Sequence, residues 1–241
     1  MSSERASPPR ILTESSRLEA FSDGVLAIAI TLLVLDLHTG AHPGAVAHDI
    51  LTQWPTYLAY IASFLYIGVV WVNHHALFTR ITNVDAGLLW CNLGLLLPVS
   101  VLPFPTAELA FAMHSGRGSD KLSALVLYCV ISAAMAVSWL VVYSYLHAHP
   151  DLLRGDVPPG FFRAERLRAL AGIIAPAAPV LIGLRYPVAA LAALVAMPVF
   201  YAITAEGLRS RRRRRPDGEQ TSLPDLRARR WHNRHGNVIS R

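Results

Sequence analysis

Long uncharged stretches alternate with short polar segments along this chain, and the alternation predicts six membrane-spanning helices. Most stretches approach the roughly 20 apolar residues that a helix needs to cross a bilayer. The fourth is the clearest because it has no charged residue, and the fifth is the weakest because it is short and contains Pro176 and Pro179. The predicted spans lie near residues 17–37, 54–78, 86–112, 122–146, 167–184 and 187–205.

The composition agrees with this pattern. Hydrophobic residues make up 53% of the chain and charged residues only 16%, whereas a typical soluble domain has about 25% charged residues. A soluble helical protein with so little surface charge is the weaker interpretation. We therefore predict an all-α fold, an integral membrane bundle of six helices.

The positions of Lys and Arg predict how the bundle is oriented. Cytoplasmic loops carry the excess of these residues. Of the 22 in the chain, 19 fall on one side, and only Arg117, Lys121 and Arg185 fall on the other. This distribution places both termini in the cytoplasm and requires an even number of spans.

The two ends of the chain differ from its centre. Residues 1–16 are rich in Ser, Pro and charge, which predicts a mobile cytoplasmic leader rather than a signal peptide. Residues 17–208 form the predicted membrane domain, and residues 209–241 form a basic, disordered tail. The tail contains the run Arg211–Arg215 directly after a span, so anionic lipid is the expected partner rather than nucleic acid.

The first span has an unusually short apolar centre. Its uncharged part, Gly24 to Leu35, holds only twelve residues, and the span reaches bilayer length only by including Asp23 and Asp36. An ionisable side chain so close to hydrocarbon normally faces the bundle interior or water and has a partner.

One face of this helix is aliphatic. At 100° per residue, Ile28, Leu32 and Leu35 fall within roughly 60° of each other, and Thr31 adds a single hydroxyl beside them. By pattern alone, such a stripe is typical of lipid or core contact.

The residues of this span carry a resemblance to a known family. The string R-x-x-x-F-S-D-G-V-x-A-I-A-I-T-L-L-V-L, residues 17–35, is similar to the first-helix signature of the transmembrane protein 175 family, which comprises potassium-permeable channels of lysosomes and bacteria. Weaker features of the family follow in the second span at Trp71, Asn73, His74 and His75.

The resemblance implies a homotetrameric, K⁺-permeable channel in a bacterial plasma membrane, with residues 17–208 as the channel domain and no cofactor. One helix cannot enclose a pathway, so a pore requires several copies around an axis. The first helix of each subunit would line the pore and form a hydrophobic gate. Matched to the family position by position, the aliphatic constriction is Ile28, Leu32 and Leu35, and the hydroxyl layer that assists selectivity is Thr31.

The resemblance also implies an inter-helix polar network at the cytoplasmic end of the first helix. Adjacent His74 and His75 point about 100° apart, so they cannot chelate one ion together. A pair of interfacial histidines is the alternative, and which histidine joins the network stays open. The predicted members are Arg17, Phe21, Ser22, Asp23, Asn73, His74 and His75.

Other chemistry has little support. His38, His42 and His48 have a spacing that fixes no metal geometry, so we expect no metal site. Glu108 could attract cations at a pore mouth, but a solvated helix end is the preferred interpretation. Cys91 and Cys129 are expected to be packing residues rather than a disulfide.

The sequence contains no motif of an enzyme, such as G-x-S-x-G, H-E-x-x-H or a phosphate-binding glycine loop. Two alternatives to a channel remain. A secondary transporter would use broken helices near the midplane, and the prolines of the third span, Pro98, Pro103 and Pro105, keep that interpretation open. A non-conducting membrane scaffold is the other.

Overall fold

The computed structural model describes residues 13–37, 46–155, 157–158 and 160–204. This part of the chain is mostly helical, with one pair of two-residue strands, β1 (Thr13–Glu14) and β2 (Asn83–Val84). The helices are α1 (Ser15–Leu32), α2 (Val46–Thr52), α3 (Trp54–Phe78), α4 (Ala86–Val101), α5 (Pro103–Ser115), α6 (Gly118–Ala148), α7 (Phe161–Ile174), α8 (Ala177–Gly183) and α9 (Pro187–Thr204).

Five helical segments are long and apolar enough to cross a bilayer, which confirms a helical, multi-pass membrane architecture. The third combines α4 with α5, and the fifth combines α7 with α8. The predicted sixth span corresponds to α9, whose apolar part, Pro187–Ile203, is shorter. A count of six spans therefore stays a prediction. The five segments are 15–35, 54–78, 86–114, 118–148 and 161–183.

The proline-rich third span is interrupted but remains helical. Pro98 lies inside α4, and the two helices meet at Leu102. Three prolines within eight residues predict an irregular or re-entrant outer half, but this prediction is wrong, because Pro103 and Pro105 occupy the first turn of α5. Proline is tolerated there because the N–H groups of a first turn have no partner within the helix.

Three loops meet at one end of the bundle. Strand β1 pairs antiparallel with β2, and Ile81 forms a β-bridge with Leu153. The leader end, the α3–α4 loop and the α6–α7 loop therefore lie together, as expected of segments on one side of a membrane. Residues 13–16, which the sequence assigns to the mobile leader, form β1 and the start of α1. Residues 1–12 and 205–241, with Arg211–Arg215, lie outside the described residues.

The core is formed mainly by α1, α3, α4, α5 and α6. In its middle, the Ser63 hydroxyl lies 2.7 Å from the Thr106 hydroxyl and 3.0 Å from that of Tyr128, which joins three helices. Such internal partners are required where water is excluded. Cys91 and Cys129 are free thiols, as predicted.

Gly87 marks a close crossing of α4 and α6. A Cβ atom at this position would lie 2.0 Å from the Tyr145 hydroxyl oxygen. That hydroxyl donates to Asp85 Oδ2 at 2.7 Å, and Asp85 Oδ1 caps α4 by accepting from the Leu88 N–H at 2.9 Å. The glycine thus allows Tyr145 to reach the helix cap.

Gly87→Ala is expected to destabilise the protein by about 1–3 kcal/mol, because the added methyl group displaces Tyr145 from Asp85. Gly94→Ala in the same helix is the matched control, since a Cβ there meets nothing within 4 Å. Thermal unfolding of the purified protein, followed by loss of its gel-filtration peak, compares the two variants. Equal midpoints would contradict the assigned crossing.

Candidate functional site

Helix α1 has two faces of different character. One is buried against the bundle by Leu18, Ser22, Leu26 and Ala29. On the other, Ile28 is 61% exposed and Leu35 is 63% exposed, so the protomer leaves large aliphatic side chains uncovered. We call this the exposed α1 face, and its members are Phe21, Gly24, Ile28, Thr31, Leu32 and Leu35.

The backbone that carries the exposed α1 face changes from α-helix to 3₁₀-helix at one end. Residues Leu33–Asp36 form a 3₁₀ turn that continues from α1, so Leu35 does not lie on the same regular helix as Ile28. Val34, which the helical wheel places off this face, is also 50% exposed. The aliphatic surface is therefore wider here than a uniform helix predicts.

The hydroxyl of Thr31 has a defined orientation. It donates to the Ile28 carbonyl oxygen at 2.8 Å, one turn back along the same helix. Because the hydroxyl proton points to that carbonyl, the lone pairs of the exposed Thr31 oxygen remain available to a hydrogen-bond donor or a cation.

A buried hydrogen-bond chain, formed by Ser22, Asn92 and His74, fixes the other face. The Ser22 hydroxyl donates to the Leu18 carbonyl at 2.9 Å, and Asn92 Nδ2 donates to Ser22 Oγ at 2.9 Å. The Asn92 oxygen then lies 3.0 Å from His74 Nε2. The chain joins α1, α4 and α3, and all three side chains are buried.

The hydrogen bond to Asn92 determines which ring nitrogen of His74 carries the proton. Asn92 presents its oxygen to the ring, so Nε2 carries the proton and donates. The other ring nitrogen, Nδ1, is buried and has no hydrogen-bond partner among the described residues. The ring stacks on Phe78 with centroids 4.2 Å apart.

A second set of contacts joins α1 to α3 at the surface. Trp71 Nε1 donates to Asp23 Oδ1 at 3.0 Å, and His75 Nδ1 lies 2.9 Å from Glu19 Oε1. The rings of Trp71 and His75 stack with centroids 6.2 Å apart. The two histidines therefore have different partners, with His74 in the buried chain and His75 in this surface set.

Three predicted members of the network lie elsewhere. Arg17 and Phe21 line a surface groove together with Trp90. Asn73 lines a separate cavity with Arg168. Within the described residues, no hydrogen bond joins Arg17, Phe21 or Asn73 to the buried chain.

Sequence reasoning missed Asn92, the residue that links the chain. A signal for it was present, since an amide within an apolar span costs free energy unless it has a partner. Glu19 was missed because it lies among charged residues at a helix start, where solvation is the ordinary expectation.

The remaining candidates supply no further site. Glu108 is exposed in the middle of α5 rather than at a helix end. No group of His, Cys, Asp or Glu in the described part of the chain is arranged to hold a metal ion. His48 lies in α2, whereas His38 and His42 fall outside the described residues.

Asn92→Leu is expected to lower stability by about 1–3 kcal/mol, because it leaves the buried His74 Nε2–H without an acceptor, whereas Ser22 keeps its bond to the Leu18 carbonyl. Asn73→Leu is the matched control, since Asn73 makes no side-chain hydrogen bond within the described residues. The thermal midpoint of the purified protein is the readout. An Asn73→Leu loss as large as the Asn92→Leu loss would refute the role of the chain.

Comparisons with known proteins place the chain in a family. A family model described as "Endosomal/lysosomal potassium channel TMEM175" matches residues 17–103. A Streptomyces collinus protein named as a potassium channel is 38% identical over 199 residues, which are 82% of this chain and 90% of that protein. A Gallus gallus protein named as an endosomal/lysosomal proton channel is 31% identical over 146 residues, but these are only 28% of its length and 55% of this chain.

The fold is also similar to a solved structure. The crystal structure of a lysosomal potassium-selective channel TMEM175 homolog from Chamaesiphon minutus matches with a TM-score of 0.66 and 30% identity. The match covers 78% of this chain and 96% of that one. With the close Streptomyces relative and the signature at residues 17–35, this similarity shows that the chain belongs to the TMEM175 family, among its bacterial members.

Proposed function

We propose that this protein is a potassium-permeable cation channel in the plasma membrane of a bacterium, with the exposed α1 face lining the pore. The Streptomyces relative, which is similar over most of both chains, is named a potassium channel. The solved Chamaesiphon homolog is described as potassium-selective. Both names belong to channels and neither to an enzyme.

The observation that carries the proposal is the asymmetry of α1. The buried chain holds one side of the helix through Ser22, while Ile28 on the other side is 61% exposed. A helix fixed in rotation presents the same residues outward in every copy. Copies arranged around one axis would therefore bring identical rings of side chains together.

The proposed assembly is a homotetramer of six-span subunits with both termini in the cytoplasm. A single protomer presents α1 at its surface, so the pathway forms only between copies. The contacts among the leader end, the α3–α4 loop and the α6–α7 loop support one shared side for these segments. The sixth span in this arrangement is α9.

The proposed gate is hydrophobic. Rings of Ile28, Leu32 and Leu35 offer no oxygen ligands, so an ion meets a dewetted constriction and a high barrier. Conduction requires the ring to widen until a partly hydrated ion passes. K⁺ binds its hydration shell less tightly than Na⁺ does, so it loses less hydration free energy on passing. Ile28 forms the narrowest ring of the constriction.

Thr31 supplies the polar layer of this pore. Its hydroxyl proton is held by the Ile28 carbonyl, so its oxygen can face a passing cation and replace part of the lost hydration shell.

The proposed anionic-lipid contact of Arg211–Arg215 would contribute roughly 1 kcal/mol per basic residue near a charged leaflet.

Ile28→Asn is expected to raise K⁺ flux about ten-fold and to lower the K⁺/Na⁺ ratio, because a polar ring removes roughly 1.4 kcal/mol of the dehydration barrier. The measurement is ion flux from liposomes holding the purified protein, with separate K⁺, Na⁺ and H⁺ gradients. Val130→Asn on α6 is the control, since Val130 is 56% exposed but lies on another helix.

The same assay separates the alternatives. Wild-type protein without flux of any of the three ions indicates a scaffold, and K⁺ flux that requires a counter-ion gradient indicates a transporter. A proton current without K⁺ current would reject potassium permeation. Unchanged flux and selectivity in Ile28→Asn would reject Ile28 as the narrowest ring.

Ile28→Cys is expected to cross-link between copies on mild oxidation in the membrane, because identical residues meet at the axis. Cys91 and Cys129 are first replaced by Ala, and Val130→Cys in the same background is the control. Denaturing gels should show linked species with Ile28→Cys and little with Val130→Cys. A monomer band alone, together with a monomer mass in native lipid, would refute the proposed ring.

A further inference from the structure

A half-open cavity lies between α3, α6, α7 and α9, apart from the exposed α1 face. It measures about 70 Å³, counted as the space open to the centre of a water-sized sphere. One bound water needs about 10–15 Å³ by this measure. The cavity thus offers roughly five to seven such positions, which suits a six-membered ring with one substituent and is too small for a phospholipid.

One end of the cavity is polar but carries no uncompensated charge. Arg168 donates to Glu165 one turn away on α7, and Tyr143 lines the cavity together with this pair. Asn73, which carries a side-chain amide, also lines the cavity. Within the described residues that amide has no hydrogen-bond partner, so its donor and acceptor groups are available to a ligand.

The rest of the wall is apolar and aromatic. Val70, Met135 and Ala136 contribute aliphatic surface. Trp139 and Tyr143 stack with centroids 5.2 Å apart, and both aromatic residues line the cavity. Sites that bind small molecules have this composition, with mostly apolar lining and a few polar groups that orient the ligand.

We propose that this cavity binds a small uncharged amphiphile, namely a molecule of about one aromatic ring with a single hydroxyl or carbonyl group. The ring lies against Trp139 and the apolar wall, and the polar group hydrogen-bonds to the Asn73 amide. The site is independent of the pore, because its walls come from α3, α6, α7 and α9.

The neutral Glu165–Arg168 pair selects against ions. Either ion would lie near both the Arg168 guanidinium and the Glu165 carboxylate, whose charges already neutralise each other. Neither ion would find an unpaired counter-charge, yet both would lose hydration on entering. An uncharged ligand avoids this cost and needs one hydrogen-bond partner, which Asn73 supplies.

The test uses 4-fluorobenzyl alcohol as the probe and the full chain in lipid nanodiscs. Fluorine-19 NMR measures protein-dependent, saturable binding after subtraction of empty nanodiscs. 4-Fluorobenzylammonium and 4-fluorobenzoate are the charged analogues, and both are expected to bind at least ten-fold more weakly than the alcohol.

Three variants locate the binding. Ala136→Phe fills the cavity and is expected to weaken binding more than ten-fold, and Asn73→Leu removes the hydrogen bond and should weaken it about five-fold. Val137→Phe is the matched control, because this neighbouring residue on α6 is 43% exposed and does not line the cavity. It should leave the affinity unchanged.

Several outcomes would overturn the proposal. The absence of saturable binding would leave only water in the cavity. Tighter binding of either charged analogue would refute the stated ligand class. Full affinity in both Ala136→Phe and Asn73→Leu would place the probe elsewhere, and Asn73→Leu alone decides the matter if Ala136→Phe does not fold.

Discussion

A polar side chain inside a membrane must find its hydrogen-bond partner within the protein, and this requirement positions α1. Ser22 cannot turn toward lipid without losing Asn92, and Asn92 cannot turn away without stranding His74. The three residues come from three helices, so one chain of hydrogen bonds fixes the rotation of α1 against its neighbours. The surface contact between Asp23 and Trp71 acts in the same direction, but solvent weakens it.

The two faces of α1 therefore obey different constraints. The buried face follows packing and hydrogen bonding, with Leu26 and Ala29 almost fully enclosed. The exposed α1 face makes few contacts within the protomer, so its residues are free to satisfy another requirement. Thr31 illustrates this freedom, because its hydroxyl bonds only to its own helix and its oxygen stays accessible.

Hydropathy was enough to predict the five long apolar segments, because bilayer thickness imposes a length that few other structures share. The same reasoning could not locate the 3₁₀ turn at Leu33–Asp36, which changes no hydropathy. Nor could it find the strand pair at Thr13–Glu14, since two residues carry no period. Proline predicted the interruption near Leu102 but not that helix would resume directly after it.

Sequence reasoning could name polar residues on the first two predicted spans but could not pair them. Helical spacing placed His74 and His75 on different sides, yet only the neighbouring α4 decides which one is buried. Asn92 on α4 binds His74 and so determines that this histidine is the buried one. The contact of Asn92 with Ser22 is long-range, since the two residues lie 70 positions apart in sequence. Local pattern cannot contain such a pairing. The cost of a lone amide in an apolar span was the one available sign of it.

The exposed α1 face also determines which forces would hold copies of the proposed channel together. In water, uncovered Ile28 and Leu35 would favour association by the hydrophobic effect, but lipid chains are as apolar as these side chains. Copies of the proposed channel must therefore be held by close packing and polar contacts. Gly24 would allow such packing, since it is exposed and a Cβ there would meet nothing within 4 Å in the protomer. The groove formed by Arg17, Phe21 and Trp90 lies beside the same face and offers shape and charge together. Shape complementarity rather than hydrophobicity would then determine whether copies associate.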